Sequence, residues 1–262
     1  MEFVTLYNKV EIETFLRKNP SLFLYHIGDL DEFYFPLTQW YGLKTNNDLN
    51  AVILLYKAFQ PIVIQALSSQ KELSYLNKLL ESCLNLFPDK FYAHLTPGVE
   101  EILESKYKLI AKGEHYKMIL YDKQSFQKID TSSVYKLSAG DIEELNALYN
   151  SAYPDNFFDP RMLETGMYYG IKKNNQLISV AGIHVCSKIF KVASLGNITT
   201  HPDYRNNGYG TAATAKICKE LLKNVDIVGL NVGTDNMSAI KSYENIGFRK
   251  TDVYREYLIK LK

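Results

Sequence analysis

Residues 198–211 read Ile-Thr-Thr-His-Pro-Asp-Tyr-Arg-Asn-Asn-Gly-Tyr-Gly-Thr, an order of residue types that dictates a strand, a turning loop and a helix start. The β-branched run stops at His201-Pro202, because the residue before a proline is pushed to extended geometry and the proline itself has no N–H for a ladder. After Arg205, Gly208 and Gly210 come Ala213, Ile217 and Leu221 at every fourth position, with Lys216, Lys219, Glu220 and Lys223 on other faces. That period predicts an amphipathic helix. A strand end, a glycine-bearing loop and a helix start aim several unpaired N–H groups outward, at the positive end of the helix dipole. Such a place binds phosphate.

A side chain at Gly208 or Gly210 would hold a phosphate away from the backbone, and glycine also reaches positive φ without penalty. Asn207-Gly208 alone would suit a hairpin turn, but the helical period after Gly210 excludes one. A Walker loop needs Gly-Lys-Ser/Thr, whereas Gly210 precedes Thr211-Ala212; a dinucleotide loop needs three glycines and a later acidic residue. Neither fits.

Arg205-x-x-Gly208-x-Gly210 resembles the acyl-CoA pyrophosphate loop of the GNAT superfamily of N-acetyltransferases. The resemblance continues downstream. Residues 227–232 form a second apolar strand, and beyond it Asn236, Ala239, Tyr243, Gly247 and Phe248 match the family's Asn-x-x-Ala-x-x-x-Tyr-x-x-x-Gly-Phe pattern. Asp235 or Asn236 suits an N-cap and Gly247 a left-handed C-cap, with Ala239 and Tyr243 on one face of the helix between them.

The remaining chain accommodates such a fold. With 262 residues, 46% of them apolar, it can build one large or two ordinary cores. A net charge of +1 without a run of five like charges gives no field favouring nucleic acid. Cys83, Cys186 and Cys218 lack CxxC or Cys/His spacing, so neither a disulfide framework nor a metal site is indicated and a cytoplasmic location is expected. No apolar run approaches the ~20 residues of a membrane span, so no membrane association is expected.

Residues 8–18 and 21–30 read as short helices, 51–57, 61–67 and 91–95 as strands, and 68–87 as an amphipathic helix through Leu73, Leu76, Leu80 and Leu84. From Gly98 the chain echoes its own later part: Val99, Tyr107, Lys108, Tyr116 and Met118 align at one constant offset with Ile240, Phe248, Arg249, Tyr257 and Ile259. The polar stretch 122–133 lacks apolar periodicity and predicts a linker. Beyond it come a strand at 134–137, a helix from Ser138, an aromatic loop between Pro154 and Pro160, a short helix from Arg161, and strands at 167–172, 177–185 and 189–200 with a turn at Asn174-Asn175. This order resembles the GNAT arrangement. The expectation is a mixed α/β (α+β) protein: a degenerate GNAT-like domain at 1–128 and a catalytic GNAT domain at 129–262, similar to tandem members related to glycine N-acyltransferase.

The resemblance implies an N-acyltransferase whose acceptor amine attacks the thioester of acetyl-CoA directly, in a cleft where two strands splay apart. Ile198, Thr199 and Thr200 would border the pantetheine arm. Arg205, Asn206, Asn207, Gly208, Tyr209, Gly210 and Thr211 would hold the pyrophosphate, and Asn236 would help fix the arm. Tyr243 would protonate the departing thiolate, a role that suits a phenol carrying its proton at neutral pH. Some superfamily members carry a Glu in the fourth strand, yet residues 192–200 contain no carboxylate. His184, Asp159 and Glu164 remain candidates for the base, His184 lying in an apolar strand. Tyr153, Phe157 and Phe158 would wall the pocket of a small-molecule amine. The alternative is a non-catalytic acyl-CoA-binding or regulatory protein.

In the first half, the stretch equivalent to the phosphate loop reads Ser-Ser-Gln-Lys-Glu-Leu-Ser from Ser68. It has no glycine, Glu72 would repel phosphate in the first turn, and Ser68 or Ser69 is expected to cap the helix. One CoA per chain is the expectation.

Overall fold

The computed structural model describes residues 1–262. Its elements are, in order, β1 (Glu2–Leu6), α1 (Lys9–Leu16), α2 (Leu24–Gly28), β2 (Thr38–Thr45), β3 (Asp48–Tyr56), β4 (Val63–Ala66), α3 (Leu73–Cys83), β5 (Lys90–Leu95), α4 (Glu100–Glu104) and β6 (Tyr107–Leu120). There follow β7 (Tyr135–Lys136), α5 (Ile142–Ala152), β8 (Tyr169–Lys173), β9 (Gln176–Ser187), β10 (Val192–Thr200), α6 (Tyr209–Leu221), β11 (Ile227–Gly233), α7 (Met237–Ile246) and β12 (Phe248–Leu261). Two compact units share them. The first comprises Met1–Lys117, Val232–Asp235 and Thr251–Lys262, the second Met118–Asn231 and Asn236–Lys250.

In the first unit the strands run β1-β2-β3-β4-β5-β12-β6. The heptad-like leucines of α3 explain its place, since Leu76, Leu79 and Leu80 are fully buried among Ile53, Leu55, Ile64, Ala93 and Leu95. Burying a leucine side chain contributes about 1.5–3 kcal/mol. Strands β4 and β5 are parallel, in register from Val63 with Tyr92 to Ala66 with Leu95. Their ends are then stitched together: Thr96 N–H donates to Ala66 O (3.1 Å), Ser68 N–H to Thr96 Oγ1 (2.8 Å) and Thr96 Oγ1 to Ser68 O (3.2 Å). Ser68 is thus a bridge and not a helix cap. A 3-10 turn, Gln70–Glu72, precedes α3, and Ser69 Oγ donates to the Glu72 carboxylate at 3.0 Å instead of capping a backbone N–H.

The sequence echo corresponds to two equivalent strands. β6 and β12 each have 14 residues and open on the matched aromatics Tyr107 and Phe248. What the pattern does not reveal is their destination. β12 pairs antiparallel with β5, from Arg255 with Leu95 to Lys260 with Lys90, and places Tyr254 and Ile259 in the core of the first unit.

The polar stretch at 122–133 folds into the second unit. Asp122 accepts from the N–H groups of Gln124 (2.9 Å) and Ser125 (3.2 Å), Phe126 is fully buried, and Lys219 Nζ reaches Gln127 O (3.3 Å) and Ile129 O (3.0 Å). A single buried phenylalanine outweighs the polar composition around it. The chain first passes from one unit to the other at Lys117/Met118.

In the second unit the order is β11-β10-β9-β8-β7, with β9 antiparallel and β11 parallel to β10. Ser138 and Asp141 form a reciprocal capping box ahead of α5. Asn174 and Asn175 turn the β8–β9 hairpin at φ 50° and 60°. Helix α6 buries Ala213, Ile217 and Leu221, as its period requires.

Ending the chain after Lys250 is expected to remove the strand beside β5 and unfold the first unit. Hydrogen exchange at residues 90–95 checks this: protection equal to that of the full chain would contradict the assignment of β12.

Candidate active site

β10 and β11 lie in parallel register only from Val192 with Ile227 to Leu195 with Leu230. Beyond that point β10 continues to Thr200 against β9 alone, with a register shift between Gly196 and Thr199. Asn197 sits in this bulge at φ 52°. A bulge bends its strand and ends pairing on one side, so backbone groups of residues 196–200, including those of Ile198, Thr199 and Thr200, border an open edge.

The chain then turns at His201, whose Nδ1 accepts from Asp203 N–H (3.3 Å) as cap of the 3-10 turn Pro202–Tyr204. Arg205 points back, its Nε donating to Thr200 O (3.1 Å) and its Nη2 to Ala152 O (3.5 Å). Asn207 Nδ2 donates to Arg205 O (2.9 Å) and Tyr204 O (3.3 Å), while Asn206 at φ 63° and Gly208 at φ 80° complete the loop. Gly208 is the N-cap of α6 and supplies no side-chain acceptor, so the N–H groups of Gly208, Tyr209, Gly210 and Thr211 remain without a partner in the chain.

The two glycines serve different ends. A Cβ at Gly208 would meet nothing within 4 Å, but the positive φ favours glycine. Gly210 lies in the first helical turn and not in a loop, and a Cβ there would come within 3.2 Å of Thr200 Oγ1. Thr200 Oγ1 is itself 2.8 Å from Ser179 Oγ. Close approach of α6 to β10 is what Gly210 permits. Lys173 Nζ covers the Tyr209 ring at 4.8 Å.

Helix α7 is fixed at both ends. Asn236 Oδ1 accepts from Ala239 N–H (3.2 Å), and Gly247 ends the helix at φ 112° where a Cβ would overlap Asp122 O. Between them Tyr243 is 9% exposed, its ring edge-on to Phe248 at 6.1 Å. Burial pushes its phenol well above the usual tyrosine range, and Tyr153 and Cys218 add to the shift. It is fully protonated at neutral pH. Thr211 Oγ1 and Ser242 Oγ lie 2.7 Å apart, joining the first turn of α6 to α7.

His184 lies on β9 at a second register shift, opposite Ser194/Leu195. Its imidazole covers Gly196 so closely that a Cβ there would overlap the ring. The aromatic loop reaches the same part of β10. Phe158 packs on Tyr149 (5.3 Å) and Tyr168 (5.5 Å), Phe157 O faces Asn197 Nδ2 at 3.4 Å, and Tyr153 is exposed at the end of α5. Asp159 caps the turn Pro160–Thr165 through Arg161 N–H (2.9 Å), and burial raises the Tyr168 phenol with a smaller contribution from Asp159, whereas Glu164 is exposed. Sequence reasoning missed Asn197 and Gly196. The only signal was a glycine and an asparagine together in an otherwise β-branched and apolar run.

Comparison with known proteins agrees with this geometry. The profile described as "Acetyltransferase (GNAT) family" matches residues 134–248. A [ribosomal protein bS18]-alanine N-acetyltransferase of Haemophilus influenzae is 31% identical over 134 residues, 49% of this chain and 89% of that relative. The chain belongs to the GNAT acetyltransferase family. Among solved structures, a Drosophila protein superposes with a TM-score of 0.72 at 15% identity, over 99% of this chain and 98% of that one. A tandem GNAT protein from the clavulanic acid biosynthesis pathway gives 0.56 at 12% identity, over 98% and 97%. These likenesses show the GNAT fold. GNAT acetyltransferases use acetyl-CoA, and an open row of N–H groups over a glycine whose Cβ position is empty fits its pyrophosphate. No helix is long and apolar enough to cross a membrane.

Gly196→Ala is expected to push His184 off β10 and cost about 1–3 kcal/mol, as overpacking does. Chemical denaturation should show the loss, and the double variant His184→Ala, Gly196→Ala should recover most of it. No recovery would mean that the ring is not what Gly196 accommodates.

Proposed function

We propose that this chain transfers an acetyl group from acetyl-CoA to the primary amine of a small molecule, by direct attack within a ternary complex. The observation that supports this most is the parting of β10 and β11 beside the unpaired N–H groups of residues 208–211. The pyrophosphate would rest on those amides and on the loop of Arg205, Asn206 and Asn207, with Asn236 near the arm. The pantetheine would take the strand edge that β11 leaves at Ile198, Thr199 and Thr200.

In the reaction the amine nitrogen bonds to the acetyl carbon and the C–S bond breaks, its electron pair passing to sulfur. Tyr243 gives its proton to that sulfur and regains one from solvent. A free N–H of the β10 edge would bond the carbonyl oxygen as charge grows on it. The proton shed by the amine passes to His184 or, through water, to Asp159. Tyr153, Phe157 and Phe158 wall the acceptor side.

A protein N-terminal amine is the second reading, favoured by the likeness to bS18-alanine N-acetyltransferases. Free thiol release from acetyl-CoA with glycine, ethanolamine, spermidine and an alanine-led peptide separates the two. Binding of acetyl-CoA without thiol release from any of them would favour a non-catalytic binding protein.

Tyr243→Phe keeps the ring and its packing, so turnover should fall on the order of 10²-fold while acetyl-CoA affinity stays. Equal kcat in the variant and the parent would return Tyr243 to a packing role. Gly210→Glu places an anion against the pyrophosphate and presses on Thr200, and calorimetry should show no acetyl-CoA binding; unchanged affinity in a folded variant would refute the loop assignment. With its β4 and β5 ends bridged by Thr96 and Ser68, the first unit should bind none, giving one acetyl-CoA per chain where two would show a second site.

A further inference from the structure

We infer that Asn197 is a positioning residue for the acceptor side of the site, tying the bulge of β10 to the aromatic loop; this rests on the function proposed above. Asn197 is 3% exposed and lies at φ 52°, a region that asparagine tolerates better than most side chains. Tolerance of the bulge explains the backbone. It does not explain a buried carboxamide.

The contacts do. Asn197 Nδ2 donates to Tyr168 Oη at 3.0 Å and to Phe157 O at 3.4 Å, and lies 3.6 Å from Met162 Sδ. Tyr168 Oη in turn donates to Ile183 O on β9 at 3.1 Å, so the hydroxyl is an acceptor toward Asn197. The Asn197 carbonyl accepts from Tyr149 Oη on α5 at 2.9 Å. One residue therefore binds the backbone of the aromatic loop and the two tyrosines whose rings flank Phe158. Both anchors of that loop converge where β10 leaves β11.

Asn197 Oδ1 is buried with no partner in the chain. A buried acceptor without a donor is destabilising, so an apolar residue would serve packing better. The carboxamide is kept for what Nδ2 holds. Through it, the distance from the acceptor wall to the strand edge is set by one side chain, and misplacement of a reactant by ~1 Å can cost 10²-fold in rate.

Two variants separate this role from folding. Asn197→Gly keeps the positive φ and deletes the carboxamide; Asn197→Asp keeps the shape and removes the Nδ2 donor. In both, amides 155–158 should exchange about tenfold faster with deuterium, while acetyl-CoA affinity by calorimetry stays within about twofold. With the most active amine of the panel above, kcat/KM should fall about 10- to 100-fold, mostly through the acceptor KM. Tyr168→Phe, which retains the ring over Gly182, should show a smaller loss of the same kind if either Asn197 variant fails to fold. Unchanged exchange at 155–158 would overturn the inference, and so would a fall in acetyl-CoA affinity matching the fall in kcat/KM. Should no amine react, the proposed function fails, and the exchange measurement alone still decides whether Asn197 holds the loop.

Discussion

A peptide group taken from water must find a hydrogen-bond partner, and the second unit turns on one place where the sheet declines to supply it. After Leu195 and Leu230, β10 and β11 cease to pair although both continue. The bulge at Asn197 makes this possible, since one extra residue redirects β10 and its pairing with β9 resumes at Thr199. The first unit faces the same choice at Ala66 and Leu95 and resolves it the other way, with a threonine hydroxyl spanning the strand ends. Two halves with related strand patterns thus differ in whether a ladder is left open or sewn shut.

Around the open edge, the neighbouring elements are also bound directly to one another. Arg205 bonds the end of β10 and the end of α5, Gly210 lets α6 settle on Thr200, and the Thr211–Ser242 hydroxyl pair joins α6 to the helix of Tyr243. The high phenol pKa of Tyr243 follows from the same closeness, as burial removes the water that would stabilise its anion.

The sequence makes the turns around α6 and α7 legible because each feature there needs a special residue type. Pro202 stops the strand, Gly208 takes a positive φ, Gly210 yields space, Asn236 caps and Gly247 ends a helix. Register is less legible. The bulge at Asn197 and the seating of His184 on Gly196 depend on which residue of β9 lies opposite, a relation between segments that neither segment encodes alone. The same holds for β12, whose apolar positions would suit either core, and for the stretch at 122–133, where Phe126 alone contradicts a polar neighbourhood. Strands β1 and β2 also escaped notice. Thr-Gln-Trp-Tyr-Gly-Leu-Lys-Thr mixes buried and polar positions without alternation, because Trp40 and Tyr41 are both buried in succession.

The place of β12 has a consequence for synthesis. Residues 1–117 leave the ribosome long before residues 251–262, which complete their sheet. At about 5–20 residues per second, the edge of β5 waits on the order of ten seconds for its partner. During that interval Phe91, Ala93 and Leu95 present an unpaired apolar strand to the cell. The second unit starts later yet has all of its residues by Lys250, so the unit begun first is the one completed last.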